Sequence, residues 1–144
     1  MDINAPEFPD KLVWLNGPFI SMAKLTGKVV LIDFWTYSCI NCQRTLPYLK
    51  KWWDKYQKFG FVLIGVHAPE FDFEKDPENV KKALKMYEVD WPVILDNKLE
   101  IWNLYANHYW PAKYLLDHNG KIIYSHFGEG NYIETELKIK EALK

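Results

Sequence analysis

Two stretches of the chain are almost continuously apolar, Val29–Trp35 (VVLIDFW) and Phe61–Val66 (FVLIGV). That is the pattern of strands covered on both faces. Between them Cys42, Leu46, Leu49, Trp53 and Tyr56 recur at spacings of three and four. The spacing predicts a helix over about 40–58 with this stripe turned inward, ended by Gly60. Pro47 lies inside it, where proline removes a backbone hydrogen bond and kinks the helix. Trp52 and Trp53 are adjacent and cannot share one face, so one is expected to pack on an N-terminal hairpin.

The remaining elements follow from the same reading. Asp76-Pro77 opens a second helix through Glu88, with Val80, Ala83, Leu84 and Tyr87 as its inner face. Trp91–Leu95 reads as a short strand and Leu99–Tyr105 as a short helix. Ala112–Asp117 and Lys121–His126, joined by His118-Asn119-Gly120, read as a β-hairpin. Tyr132–Leu143 closes the chain as a helix with Ile133 and Leu137 inward. At the start, residues 1–10 form an extended lead-in. Lys11–Leu15, the Asn16-Gly17 turn and Phe19–Leu25 then predict an N-terminal β-hairpin. The order is β-α-β-α-β-β-α after the N-terminal addition, which gives an α/β fold with a central mixed sheet and helices on both faces. With no repeats and no internal linker, residues 1–144 are expected to form a single domain.

Composition narrows the function. The net charge of −1 gives no reason to expect nucleic acid or an anionic membrane as partner. No apolar run approaches the ~20 residues of a membrane span. MDINAPEFPD has neither the basic nor the apolar region of a signal peptide. The chain as given is therefore expected to be cytoplasmic and monomeric. As a domain excised from an exported or membrane-tethered parent it would be extracytoplasmic. Seven tryptophans are more than a core of this size demands, and some are expected at a partner-facing surface.

The chemistry concentrates at one junction. Cys39 and Cys42 are the only cysteines, a C-x-x-C pair where the first apolar strand meets the first helix. Two intervening residues set the thiols one helical turn apart. With Ser38 as N-cap, Cys39 would stand at the first helical position, where free N–H groups and the helix dipole favour thiolate. Cys42 would face the core. The exposed cysteine is then the attacking thiol and the inner one resolves the mixed disulfide. Asp33, inside the apolar strand, is either an acid at a frayed strand end or a proton acceptor near Cys42. Glu70, after the second strand, is a second candidate for proton transfer or a solvated loop acid. His67 reads as a hydrogen-bonded structural histidine. Other readings of the cysteines are half of a zinc site or a pair of inert buried thiols. His67, His108, His118 and His126 show no zinc-finger spacing, so no metal and no other cofactor is expected.

The motifs carry a resemblance. DFWTYSCINC resembles the thioredoxin pattern of acid-Phe-Trp before a C-x-x-C, with Asp33 at the buried-acid position and Pro47 at the kink proline. Pro111 is similar to the cis-proline that faces the disulfide in that fold. The resemblance implies that Trp110 offers its backbone to a substrate strand, with Ser38 and Ile40 beside the thiols. The N-terminal extension and the longer segment between Val66 and Trp91, an insertion ahead of the second helix, resemble the TlpA/ResA branch. FWTYSCINCQRTLPYL, GVHAPEFDFEK, YWPAKYLLD and HFGEGNY resemble the thioredoxin-like domain of DipZ-type proteins. Departures are Ser38 for the usual Trp, Ile40-Asn41 for Gly-Pro, Thr45 for an acid, and Trp110 for a smaller residue. The family implies a thiol–disulfide oxidoreductase, here a reductant, working on protein disulfide or dithiol substrates with an electron-donating redox partner. Two alternatives stand beside it. Thr36-x-x-Cys39 is half of a thiol-peroxidase signature, although Ile32 stands where that signature has proline. A non-catalytic module could instead bind partners through Tyr109 and Trp110, with His108 beside the pair in a copper-binding variant.

Overall fold

Residues Val29–Trp35 are buried along their whole length, and strict alternation divides them between two cores. Val29, Leu31 and Trp35 enter one cluster, while Val30, Ile32 and Phe34 enter the other. This is the two-faced burial that the apolar run predicts. The computed structural model describes residues 3–144.

The strands in chain order are β1 (Ile3–Asn4), β2 (Val13–Leu15), β3 (Val29–Trp35), β4 (Phe61–His67), β5 (Val93–Leu95), β6 (Ala112–Leu116) and β7 (Lys121–Phe127). The helices are α1 (Ile40–Tyr56), α2 (Pro77–Met86), α3 (Glu100–Leu104) and α4 (Tyr132–Leu143). One sheet runs β1-β7-β6-β3-β4-β5-β2. The β3–β4 and β4–β5 pairs are parallel, and β3–β6 and β6–β7 are antiparallel. It is the mixed sheet of the thioredoxin fold. The core on one face takes Leu46, Leu49 and Trp52 of α1, Val80 and Leu84 of α2 and Ile139 of α4. The core on the other takes Ile101 and Trp102 of α3 together with Phe8 and Leu25 of the N-terminal segment.

Four expectations are corrected. No N-terminal hairpin forms: β2 pairs antiparallel with β5, and Met22–Leu25 is a 3-10 turn that buries Leu25. The Asn16 side chain explains the choice, since its amide donates to the carbonyls of Val89 (2.8 Å) and Trp91 (3.0 Å) and ties the turn to the entry of β5. The lead-in is more than extended chain, because Ile3–Asn4 pairs with β7; residues 1–2 of it lie outside the described residues. Trp52 is buried in the main core beside the Tyr132 ring, and Trp53 packs half-buried against the same core. In α4, Ile133 is 82% and Leu137 50% exposed, while Thr135 and Ile139 are buried. Thr135 goes inside because its hydroxyl donates to the Asn131 carbonyl and meets the Tyr124 hydroxyl.

The tightest backbone approach under the site is at Gly65, which stands opposite Asp33 in the β3–β4 ladder. A Cβ there would lie 3.0 Å from Trp35 Nε1 and 3.3 Å from Trp91 Nε1, both on fully buried indoles. Gly65→Ala is expected to lower unfolding free energy by about 2 kcal/mol, measured by urea titration of tryptophan fluorescence. A change within about 0.5 kcal/mol would show that the indoles can give way.

Candidate active site

β3 ends at Trp35, and four residues later the chain starts α1. Cys39, not Ser38, is the N-cap: its φ of −79° and ψ of 119° are extended, and its sulfur accepts the Cys42 N–H at 3.2 Å. The expected cap is thus displaced by one residue, and Sγ itself takes the place of the capping oxygen. Hydrogen bonding from the Cys42 thiol outweighs partial burial and, with the N–H groups of Cys42 and Asn41, holds the Cys39 thiol down to about 7. Cys42 is 1% exposed. Burial first, and its hydrogen bond to Cys39 second, push its thiol far above the ordinary range. Both cysteines are free thiols. The two sulfurs therefore differ as an attacking and a reserve thiol must.

Asp33 is not at a frayed end. It is 1% exposed, paired in both β3 ladders, and burial pushes its carboxyl up to about 7, with Lys113 opposing the rise and the Cys39 charge adding to it. Ala112 stands opposite Phe34 in the β3–β6 register, so Pro111 lies at the same end of the sheet as the cysteines. The Trp110–Pro111 peptide bond is cis. Trp110 is half-buried, with its indole N–H donating to the Ala68 carbonyl at 2.7 Å and its ring 4.2 Å from that of Trp102. Ile40 is exposed beside the thiols. Glu70 is exposed as well, and only its backbone N–H joins the local network.

That network centres on an acid the sequence does not mark out. Glu74, in the 3-10 turn Asp72–Lys75 of the segment between β4 and α2, is fully buried. Its carboxylate accepts from Ser38 Oγ (2.5 Å), Ser38 N (3.4 Å), Glu70 N (2.8 Å) and Phe71 N (3.0 Å). Burial alone would raise its pKa, but the bonds from Ser38, Thr36 and the two amides hold it below the usual range. Ser38, expected to cap α1, instead donates to this acid and stays exposed beside the thiols. His67 is hydrogen-bonded as expected and is also buried: its Nε2 accepts the Tyr37 N–H at 3.2 Å. Burial lowers its pKa to about 4, which keeps it neutral. In sequence Glu74 sits in FDFEKD, indistinguishable from a solvated loop. Lys113, also fully buried, is the other missed residue; its signal was a lysine inside an apolar strand. Among the described residues no three His, Cys, Asp or Glu side chains group to hold a metal ion, and no helix is long and apolar enough to cross a membrane.

The fold and the paired thiols at the head of α1 define a thioredoxin-fold protein with a dithiol site. The chain belongs to the AhpC/TSA family, whose model matches residues 3–125. It is 46% identical over 142 residues to protein DipZ of Mycobacterium tuberculosis, covering 96% of this chain and 20% of DipZ. The chain thus spans about a fifth of the length of that relative. It is 32% identical over 130 residues to the thiol-disulfide oxidoreductase ResA of Bacillus thuringiensis, covering 90% of this chain and 70% of ResA. A thioredoxin-like protein solved in solution in its oxidised form superposes with a TM-score of 0.87 at 28% identity, over 97% of this chain and 94% of that one.

Two measurements check the site. Iodoacetamide labelling of the reduced protein against pH is expected to modify Cys39 with a midpoint near 7 and to leave Cys42 unmodified through neutral pH. Equal labelling of both thiols would contradict the asymmetry. Glu74→Ala removes the acceptor shared by Ser38, Glu70 and Phe71, residues whose donors water can reach once the acid is gone. It is expected to cost about 1–2 kcal/mol and to open the Ser38 and Phe71 amides to hydrogen exchange. Unchanged protection of those amides would show that the acid does not hold the turn.

Proposed function

We propose that this chain is a thiol–disulfide oxidoreductase that reduces disulfides in protein substrates. The observation that carries the reading is the half-exposed Cys39 sulfur, held at the head of α1 by the Cys42 N–H over a buried second thiol. The Cys39 thiolate attacks one sulfur of a substrate disulfide, and the other sulfur leaves as a thiol. Cys42 then gives its proton to Asp33 and attacks Cys39 Sγ. The Cys39–Cys42 disulfide forms, the second substrate sulfur departs as thiolate, and two electrons have passed to the substrate. Asp33 suits the acceptor role because a carboxyl near 7 is half ionised at working pH.

Substrate docks at the Trp110–Pro111 end of β6, with Ile40 exposed beside the thiols. Ser38, exposed beside Cys39 and held by Glu74, belongs to this surface. Glu70 stays at the periphery, where its charge only weakly opposes the Cys39 thiolate. The chain acts as one domain and as a monomer. A separate redox partner returns the electrons, in the cytoplasm or, within a longer exported protein, outside it.

In an insulin-reduction assay with dithiothreitol as donor, Cys39→Ser is expected to abolish turnover. Cys42→Ser is expected to accumulate a mixed disulfide with substrate, visible by mass spectrometry. Asp33→Asn is expected to slow release of that mixed disulfide about a hundredfold while leaving Cys39 alkylation nearly unchanged. Full activity of Cys39→Ser would overturn the reading.

A further inference from the structure

The segment between β4 and α2 is fastened to the reactive end of the molecule at two points. Ala68, just after β4, accepts the Trp110 indole N–H at 2.7 Å, and Glu74 accepts from Ser38, the residue before Cys39. Between these anchors stand Phe71 and Phe73, 51% and 54% exposed, their rings stacked at 5.6 Å with 7° between the planes. The Tyr37 ring meets Phe73 edge-on at 6.2 Å. The turn that carries them is held by other groups. Glu74 accepts the Glu70 and Phe71 amides, and the Phe73 carbonyl accepts from the Tyr37 hydroxyl at 3.3 Å and from the Asn79 amide at 3.0 Å. The two rings are therefore spare: the turn does not need them, and half of each is left in water. An apolar pair kept exposed on a fixed turn beside a nucleophile has the character of a binding surface, and its rigidity means little ordering entropy is lost when it is covered.

We propose that Phe71 and Phe73 form a specificity wall that takes an aromatic side chain standing next to the cysteine of an extended, non-acidic protein segment. The inference rests on the oxidoreductase reading. The occupant follows from where the wall stands. A segment whose sulfur is bonded to Cys39 and whose backbone lies along Trp110 has residues 68–74 as its flank, since that stretch is bonded to both Trp110 and Ser38. What the flank offers is rings rather than donors, because the Glu70 and Phe71 amides are already taken by Glu74. Aromatic rings gain more from such a pair than aliphatic groups of the same area. Charge narrows the choice further. Glu70 is exposed on this flank, makes no ion pair among the described residues, and its charge is felt at Cys39. An acid beside the substrate cysteine would meet that carboxylate. Asp72, next in the turn, is offset by Lys75 at 3.2 Å. One rival surface exists: Tyr109, before Pro111, and Phe127, at the end of β7, are also exposed and stack at 5.2 Å.

The test reads a ratio of rates. Reduced protein is mixed with symmetrical disulfides of short peptides in which Phe, Ala or Glu stands beside the cysteine, either before it or after it. Each turnover consumes one peptide disulfide, releases two peptide thiols and leaves the Cys39–Cys42 disulfide, and the thiols are measured by chromatography after acid quench. Wild type is expected to reduce the Phe peptide about tenfold faster than the Ala peptide in one of the two placements, and the Glu peptide no faster than the Ala peptide. Phe71→Ser combined with Phe73→Ser is expected to lower the Phe-to-Ala ratio below about twofold. A wild-type ratio near one in both placements would overturn the inference, as would a Glu peptide reduced as fast as the Phe peptide. So would a ratio that survives in the double variant, since the ring would then lie on Tyr109 and Phe127. If the double variant fails to fold, the Phe peptide is trapped as a mixed disulfide on Cys42→Ser protein and followed by NMR. Its ring is expected to shift the Phe71 and Phe73 ring resonances and to leave those of Tyr109 and Phe127 in place, and any other pattern counts against the inference. Failure of wild type to reduce any of the peptides would instead strike the oxidoreductase reading itself.

Discussion

Everything at the reactive end of this molecule depends on the burial of β3 between β4 and β6. A strand hydrogen-bonded on both edges and covered on both faces cannot shift register, because a slip of one residue would exchange its two apolar sets. That fixed strand delivers the turn that starts α1, puts Asp33 on the side of Cys42, and brings the Trp110–Pro111 end of β6 alongside. The same pairing sets Gly65 and Lys113 on either side of Asp33. The acid is therefore enclosed by backbone on one edge and by a single cation on the other.

Enclosure is what separates the two thiols. The sulfurs share a helical turn, so their difference arises from surroundings rather than from sequence position. Cys39 accepts from the Cys42 thiol and from amide N–H groups at a helix terminus and gains a stabilised thiolate; Cys42, one turn further on, is buried and keeps its proton. The buried Asp33 carboxyl acts electrostatically on the second thiol, where the proposed resolving step calls for a proton acceptor. On the other side of the turn, Glu74 supplies rigidity. Its four hydrogen bonds fix Ser38 and the segment after β4, so the N-terminus of α1 is held from without as well as from within.

Much of this was legible in the sequence because it follows from local signals. Apolar runs gave β3 and β4, Asp76-Pro77 the start of α2, and His118-Asn119-Gly120 the β6–β7 hairpin. C-x-x-C, Asp33 and Pro111 marked the site. What escaped depended on tertiary partners. Asn16-Gly17 is a true turn, but its neighbours pair with β5, a choice made by the Asn16 amide and a strand distant in sequence. Ile133 and Leu137 have the right spacing for an inner face, yet Thr135 is turned inward by its own hydrogen bonds. Glu74 is a polar letter whose burial no periodicity announces, and Lys113 shows only as a lysine inside an apolar strand. Each is intelligible only once the group it faces is known.

The central claim is that Cys39 and Cys42 form a working two-electron couple in an environment that favours the reduced, nucleophilic form. The most direct test is the reduction potential of the pair, by equilibration against defined ratios of reduced and oxidised dithiothreitol with tryptophan fluorescence as the signal. A Cys39 thiol near 7 matches that of a reducing dithiol, so a reversible transition at about −270 mV is expected. A value near about −120 mV would make the protein an oxidant, and a pair that does not exchange at all would contradict the account.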